Sequence, residues 1–264
     1  MLKILFFGDI MGRIGRQAAI LALEKWEKPY KPDLVIANAE NLAHGKGVTR
    51  GTLREMLDAG FHFFTSGNHV WDKPEVYEIF EDPNAPLIRP ANYPQGIPGD
   101  GFRILEVGKN KVMIINLNGR ISFRENFDCP FRTIDFLLDN KPADVKTVLV
   151  DFHVEATSEA KSLGHYLRNR ASAVWGTHTH VGTVDYEVLN NKMAYVTQVG
   201  MVGAKNSSLG VAFDGVIENF LTQLPTAHEI PEKGLAEVNA IYLEINDSGA
   251  AKKIKKLYDE VEIK

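Results

Sequence analysis

The sequence contains a single cysteine, Cys129, among 264 residues. One thiol cannot form an intrachain disulfide bond or supply a cysteine-rich zinc site, so both are excluded. Long apolar runs are absent as well, since no segment approaches the 18 or so residues that cross a bilayer. The short apolar run Met1–Phe7 ends at Gly8-Asp9, before a signal peptide would be complete. We therefore expect a soluble, cytoplasmic protein that does not insert into a membrane.

A strong charge of either sign is also missing. The chain has 30 basic and 34 acidic residues, which give a net charge of −4. This balance argues against a general nucleic-acid-binding protein, which would carry a basic surface. Hydrophobic residues make up 44% and charged residues 24% of the chain, the usual mixture of a globular domain. Disorder, collagen and coiled coil are excluded as descriptions of the whole chain.

The N-terminal part alternates buried strands with amphipathic helices. Continuous apolar runs predict strands, and apolar residues at helical spacing predict helices. The predicted order is a strand at 2–7, a helix at 16–27, a strand at 33–38, a helix between Thr49 and Gly60, and a strand at 62–66. This alternation indicates an α/β fold with a mainly parallel sheet.

The rest of the chain adds antiparallel pairs. Hairpins are predicted where Gly108-Lys109-Asn110-Lys111 and Asn190-Asn191 separate apolar segments. No linker, repeat or low-complexity stretch divides the sequence, so we predict one domain over residues 1–264. Residues 72–100 are rich in proline, asparagine and glycine and are a candidate cap on that domain.

Metal-binding residue types follow the ends of five predicted strands. They occur in Gly8-Asp9, in Asn38-Ala39-Glu40-Asn41, in Gly67-Asn68-His69, at His153, and in Gly176-Thr177-His178-Thr179-His180. Because the carboxyl ends of parallel strands gather at one edge of a sheet, these side chains are expected to share one rim. Their recurrence at successive strand ends favours a common metal site over coincidence.

The types of residue narrow the chemistry. Carboxylates, amide oxygens and imidazoles without a thiolate suit iron, manganese or zinc rather than copper(I) or an iron–sulfur cluster. Six or seven ligands are too many for one tetrahedral ion, but they suit two ions, about 3.5–4 Å apart, that share a carboxylate. Asparagine does not titrate, so Asn68 is better explained as a ligand through its amide oxygen than as an acid or base.

Each residue alone also has a structural explanation. Asp9 could cap the helix that follows it, and Asn68 could occupy a left-handed turn position. His153 alone could be a hydrogen-bonded core histidine. The metal site is favoured only by the residues taken together.

The order and spacing of these residues resemble the calcineurin-like metallophosphoesterases over residues 8–180. That superfamily has an Asp after its first strand, an acid after its second, Gly-Asn-His, an isolated His and a closing Gly-His-x-His. The resemblance implies an α-β-β-α sandwich, in which central mixed β-sheets are flanked by helices. The chain departs from the pattern at Met11, where a ligand is expected, at Glu40, where Asp is usual, and between Gly176 and His178, where one residue is added.

These departures match a narrower group, the YmdB family of bacterial metallophosphoesterases. The resemblance rests on GDIMGRIGR (8–16), NAEN (38–41), SGNHVWD (66–72), RPANYP (89–94), DFHVEATSE (151–159) and GTHTH (176–180). It implies a phosphodiesterase that hydrolyses 2′,3′-cyclic nucleotides with two metal ions. Iron is the expected metal, and manganese and zinc are the alternatives. Family members are also implicated in bacterial regulation, with RNA metabolism as one route.

Carried over residue by residue, the resemblance implies two overlapping sets of metal ligands. The first ion takes Asp9, Glu40, Asn41 and His180, and the second takes Glu40, Asn68, His153 and His178. Glu40 bridges the two ions, and Asn41 replaces the ligand that is lost at Met11.

His69 lies outside both sets and is the expected proton donor. A metal-bridging hydroxide would attack phosphorus, and His69 would protonate the departing ribose oxygen. The alternative is that His69 only orients a metal ligand. Two further side chains are candidates for substrate contacts, His44 in the loop after Glu40 and Arg120 after Asn118-Gly119, although exposed surface positions explain both equally well.

Two other functions stay open at this point. The same metal site could serve a phosphomonoesterase, or the chain could be a regulatory protein that affects RNA metabolism through a binding partner. The expected partner of the leading function is a small cyclic nucleotide, without a nucleic acid or a membrane. The sequence leaves open whether the chain forms a homo-oligomer.

Overall fold

Two β-sheets form the centre of the molecule, which is a computed structural model that describes all 264 residues. The first sheet has the spatial order β12 (Ala251–Ile263), β11 (Gly234–Ile245), β10 (Met201–Ala204), β1 (Leu2–Ile10), β2 (Leu34–Asn38) and β3 (Phe63–Thr65). Strands β10, β1, β2 and β3 are parallel, and β11 and β12 are antiparallel additions. Strand β11 also pairs with the first part of β1.

The second sheet has the order β4 (Phe102–Val107), β5 (Asn110–Asn118), β6 (Thr147–His153), β7 (Ala173–Thr177), β9 (Met193–Val196) and β8 (Glu187–Leu189). Its four central strands are parallel. The predicted hairpins are confirmed at its two edges, where β4 pairs with β5 and β8 with β9 in antiparallel fashion.

Six helices cover the outer faces or follow the loops. They are α1 (Gly12–Tyr30), α2 (Arg50–Asp58), α3 (Glu75–Phe80), α4 (Pro130–Asp139), α5 (Thr157–Leu167) and α6 (Phe213–Thr222). Helix α2 begins and ends as predicted, because Thr49 caps it through Thr52 and Gly60 follows it with φ +100°. None of the helices is long and apolar enough to cross a membrane.

The alternation of side chains along the strands creates three apolar layers. Ile4 and Phe6 of β1 face the second sheet, where Trp175 packs on Phe6 with ring centroids 4.4 Å apart. Leu5 and Phe7 face the opposite way, against α1 and α2. A third cluster lies between the second sheet and helices α4 and α5. The expected α-β-β-α sandwich is therefore confirmed.

Three elements escaped prediction. Strand β10 has only four residues, and α3 lies among the turns of residues 72–100, where it packs Val76 and Ile79 into the core beside the first sheet. Helix α6 buries none of its residues, so no contrast between a buried and an exposed face marks it. Helix α1 is also longer than expected, because Gly12 begins it and Pro29 lies in its last turn.

The register of the strands determines where the polar ends meet. Asp9 of β1 lies opposite Asn38 of β2, and His153 of β6 lies opposite Thr177 of β7. The carboxyl ends of both sets of parallel strands open at the same rim, where a hydrogen bond joins Asn38 to Asp151 across the two sheets.

Candidate metal centre

Three predicted ligands converge on one nitrogen atom of a fourth. His153 Nε2 lies 3.0 Å from Glu40 Oε2, 3.2 Å from Asn68 Oδ1 and 3.1 Å from His178 Nδ1. Neighbouring ligands of one ion lie about 3 Å apart, because each lies about 2.1 Å from the metal. The donor atoms of Glu40, His153 and His178 all fall within 4.8 Å of one another.

His153 is held by a chain of buried hydrogen bonds. Its Nδ1 lies 3.0 Å from Thr177 Oγ1, and the Thr177 hydroxyl donates to Asp151 Oδ1 at 2.7 Å. Asp151 also accepts from Thr65 and Asn38. With the Thr177 hydroxyl proton committed to Asp151, Nδ1–H donates to Thr177, so Nε2 is the nitrogen that can give up its proton to bind a metal.

His178 is fixed from two sides. Its backbone N–H donates to Asp9 Oδ2 at 3.2 Å, and its φ of +102° is strained for a residue with a side chain. Nε2 pairs with Glu155 at 3.2 Å, which leaves Nδ1 to face His153. The ring also contacts Phe123, with centroids 4.8 Å apart.

In the second predicted set, His180 and Asn41 lie next to each other. His180 Nε2 lies 3.3 Å from Asn41 Oδ1, while its Nδ1 donates to the carbonyl of Leu209 at 2.9 Å. Asn41 donates through Nδ2 to Gly45, so its amide oxygen is free to act as a ligand. Asp9 is fully buried, with Oδ1 3.8 Å from His153 Nδ1. Met11 is buried nearby and its thioether supplies no oxygen or nitrogen donor.

Burial and charge set the protonation of the cluster. Burial alone would raise the pKa of Glu40, but the charge of His153 and its hydrogen bond lower it to about 2. Burial alone would lower the pKa of His153, but the Glu40 carboxylate raises it to about 9. Burial lowers the pKa of His178 to about 3, so this imidazole is neutral. A bound cation would take the place of the His153 proton beside Glu40.

The packing around the cluster fits a metal site. A Cβ added at Gly67 would lie 2.0 Å from Glu40 Oε2 and 2.4 Å from His153 Nε2, so only glycine allows these donors to approach. The donors are oxygens and imidazole nitrogens, which suit iron, manganese or zinc. Both the chemistry and the space at this rim therefore fit divalent metal.

His69 lies beside the cluster. Its backbone N–H donates to Glu40 Oε2 at 3.3 Å, and its Nδ1 pairs with Asp72 at 2.9 Å. The ring borders a cavity of about 400 Å³ that also touches Asn68 and His178. The His69 ring is thus adjacent to the converging ligand atoms but is not one of them.

The structure places the two candidate substrate contacts at the surface. His44 and Arg120 are both exposed, and neither is among the residues that line the cavity. The backbone N–H of Arg120 donates to Glu159 at 3.0 Å. The cavity instead contains Lys46 and Arg124, which sequence reasoning missed because neither belongs to a recognised motif.

Comparison with known proteins identifies the family of the chain. The family model "YmdB-like protein" matches residues 5–257. A protein of Bacillus subtilis strain 168, named 2′,3′-cyclic-nucleotide 2′-phosphodiesterase, is 40% identical over 93% of this chain and 92% of its own length.

Two crystal structures share the whole fold. One, of a Thermus thermophilus protein, has 41% identity and a TM-score of 0.91 over 98% of this chain and 99% of that one. The other, of a Mycoplasma pneumoniae protein described as a novel phosphatase, has 29% identity and a TM-score of 0.92 over 99% and 94%. The resemblance inferred from the motifs is confirmed, and the chain belongs to the YmdB-like protein family.

Proposed function

We propose that this protein is a dinuclear metal-dependent phosphodiesterase that opens 2′,3′-cyclic nucleotides. The convergence of Glu40, Asn68 and His178 on His153 Nε2 carries the proposal. The printed name of the Bacillus relative supports the choice of substrate. The reaction takes place in the cytoplasm and uses a small-molecule substrate.

The chain's own residues would hold two ions in the two ligand sets that the family resemblance implies. Asn68, His153 and His178 would hold one ion, Asp9, Asn41 and His180 would hold the other, and Glu40 would contribute to both. Two divalent ions held there, with iron as the expected metal, would lower the pKa of water toward about 7 and would offset negative charge on the phosphoryl oxygens. The remaining side chains orient these ligands and supply a proton.

His69 acts as the general acid. Water oxygen becomes bonded to phosphorus, the bond from phosphorus to O2′ breaks, and O2′ takes a proton from His69, which leaves a nucleoside 3′-phosphate. The proton that the attacking water releases restores the protonated His69. Asp72 accepts from His69 Nδ1, so Nε2 is the nitrogen that exchanges the proton with substrate. The position of His69 on the wall of the cavity supports this role.

A comparison of substrates tests the proposal. The metal-loaded protein is expected to hydrolyse a 2′,3′-cyclic nucleotide with a kcat/KM well above that for a 3′,5′-cyclic nucleotide or a nucleoside monophosphate. A second candidate, a phosphomonoesterase, is favoured by the description of the Mycoplasma structure as a phosphatase. Preferred hydrolysis of the monophosphate would support that candidate and contradict the first.

The His69→Ala variant tests the proton donor. Loss of a general acid lowers kcat about 10²–10⁴-fold, and because His69 is not a metal ligand, the metal content is expected to stay near that of the parent protein. Unchanged turnover would refute the acid role. A parallel loss of metal would show instead that His69 orients a ligand.

A further inference from the structure

Two cations share the cavity beside the metal centre. Lys46 and Arg124 line it together with His69 and His178. His69 is paired with Asp72, but neither Lys46 nor Arg124 belongs to an ion pair of the structure, whereas the exposed Arg50 is paired with Glu78. Two carboxylates also line the cavity, but Asp72 is paired with His69 and Glu125 forms no ion pair with either cation.

Lys46 lies on a loop with a defined shape. The backbone N–H of Gly47 donates to the backbone carbonyl of Glu40 at 2.5 Å, and that of Ala43 donates to the backbone carbonyl of Gly47 at 2.9 Å. The side chain of Asn41 closes the same loop on Gly45 at 2.7 Å. Since Glu40 and Asn41 are candidate ligands, these hydrogen bonds tie the loop that carries Lys46 to the metal centre.

Arg124 lies on a second anchored loop. The backbone N–H of Gly119 donates to the backbone carbonyl of His153 at 2.8 Å. The carboxylate of Glu159 accepts from the backbone N–H groups of Arg120 and Ile121, the two residues that follow Gly119. At the other end, the buried Phe127 packs on Tyr93 with centroids 4.8 Å apart. A preorganised loop loses little entropy when it binds a ligand.

The number of cations exceeds what the reacting group requires. A cyclic phosphodiester carries one negative charge, and the residues of the metal centre would already receive it. Two further cations in the adjoining cavity suit a second phosphate, because ammonium and guanidinium groups form charge-assisted hydrogen bonds with phosphate oxygens. A 5′-phosphate is the group that a nucleotide places away from its 2′,3′-cyclic end.

We infer that Lys46 and Arg124 form a subsite for a 5′-phosphate, so that the preferred substrates are 2′,3′-cyclic nucleotides that carry a phosphate group on O5′. This inference rests on the proposed function and narrows its substrate class. The phosphate is supplied either by a free 5′-phosphorylated nucleotide or by the preceding residue of a short oligoribonucleotide.

Three substrates test the inference. They are a 2′,3′-cyclic nucleotide, the same nucleotide with a 5′-phosphate, and a dinucleotide that ends in the 2′,3′-cyclic phosphate. We expect kcat/KM of the metal-loaded protein to be at least about tenfold higher for one or both of the phosphorylated substrates. A higher value for the terminal 5′-phosphate identifies the free nucleotide as the source, and a higher value for the dinucleotide identifies the RNA end.

Variants connect the preference to the two side chains. The relevant ratio is kcat/KM for the preferred phosphorylated substrate divided by kcat/KM for the cyclic nucleotide without a 5′-phosphate. Lys46→Ala combined with Arg124→Ala is expected to reduce this ratio toward one. Lys252→Ala combined with Arg132→Ala changes the same residue types at exposed positions outside the cavity and is expected to preserve the ratio. A parent ratio near one, or a ratio that survives in the Lys46 and Arg124 variant, would overturn the inference.

A binding measurement separates this inference from the proposed function. Calorimetry on the metal-loaded protein compares a nucleoside 3′,5′-bisphosphate with the 3′-monophosphate, neither of which has a cyclic phosphate to open. The bisphosphate is expected to bind at least about tenfold more tightly, and the advantage is expected to disappear in the Lys46 and Arg124 variant. If no cyclic nucleotide is hydrolysed but this difference is observed, the proposed function fails and the anion subsite stands. Equal binding of the two ligands refutes the subsite.

Discussion

Replacing Thr177 by valine probes how the protein orients a candidate metal ligand. Valine has nearly the same shape as threonine and suits the end of a buried strand. The change removes one hydroxyl, which lies between His153 Nδ1 at 3.0 Å and Asp151 Oδ1 at 2.7 Å. His153 then loses the acceptor that keeps its Nε2 lone pair directed toward Glu40 and His178.

The magnitude follows from the two contacts. Each buried polar group that loses its partner costs about 1–3 kcal/mol, so with two such groups the free energy of unfolding should fall by about 2–6 kcal/mol. Loss of a group that orients a metal-bound histidine lowers metal affinity about 10–100-fold. Both effects are expected together in the Thr177→Val variant.

The matched control is Thr65→Val. Thr65 also donates to the carboxylate of Asp151 but does not contact His153. We expect Thr65→Val to lower the free energy of unfolding by about 1–3 kcal/mol and to leave metal affinity within about threefold of the parent value, because the partner of His153 is intact. Denaturant unfolding and competition with a chelator of known affinity measure the two quantities. Equal losses of metal affinity in both variants would refute the orienting role of Thr177.

Two further changes test the electrostatics and the packing of the centre. The proton on His153 competes with metal, and the pKa of His153 is raised to about 9. Metal affinity should therefore rise about tenfold per pH unit up to pH 9 and then level off. A metal affinity that stays constant between pH 6 and 9 would contradict the ion pair with Glu40. Gly67→Ala should reduce bound metal by displacing Glu40 and His153, whereas Gly51→Ala, whose added Cβ meets nothing closer than 4.0 Å, should retain it; equal metal content in both would contradict the packing.

The core of the site could be predicted because it depends on strand ends. Glu40, Asn68 and His153 each follow or end a parallel strand, and such ends meet at one edge whatever the details of the loops. The structure places Glu40 and Asn68 each within hydrogen-bonding distance of His153. The fold could also be predicted, because apolar runs mark the buried strands and apolar residues at helical spacing mark the helices that cover them.

The walls of the site could not be predicted. Arg124 reaches the cavity because Glu159, 38 residues beyond Ile121, anchors its loop, and no local pattern encodes such a contact. Glu155 and Thr177 were visible in the motifs, but their roles depend on which nitrogen of a neighbouring histidine they contact. Helix α6 gave no signal because its apolar residues, such as Phe220 and Leu221, stay exposed.

The most direct test of the central claim is a titration of metal-stripped protein with iron(II) under anaerobic conditions, followed by hydrolysis of a 2′,3′-cyclic nucleotide. Glu40 is expected to bridge two ions, so turnover should appear only as the second equivalent binds, and Glu40→Gln should bind less metal and lose turnover. Full turnover of the metal-stripped protein, or full turnover after a single equivalent, would contradict a dinuclear centre built on Glu40.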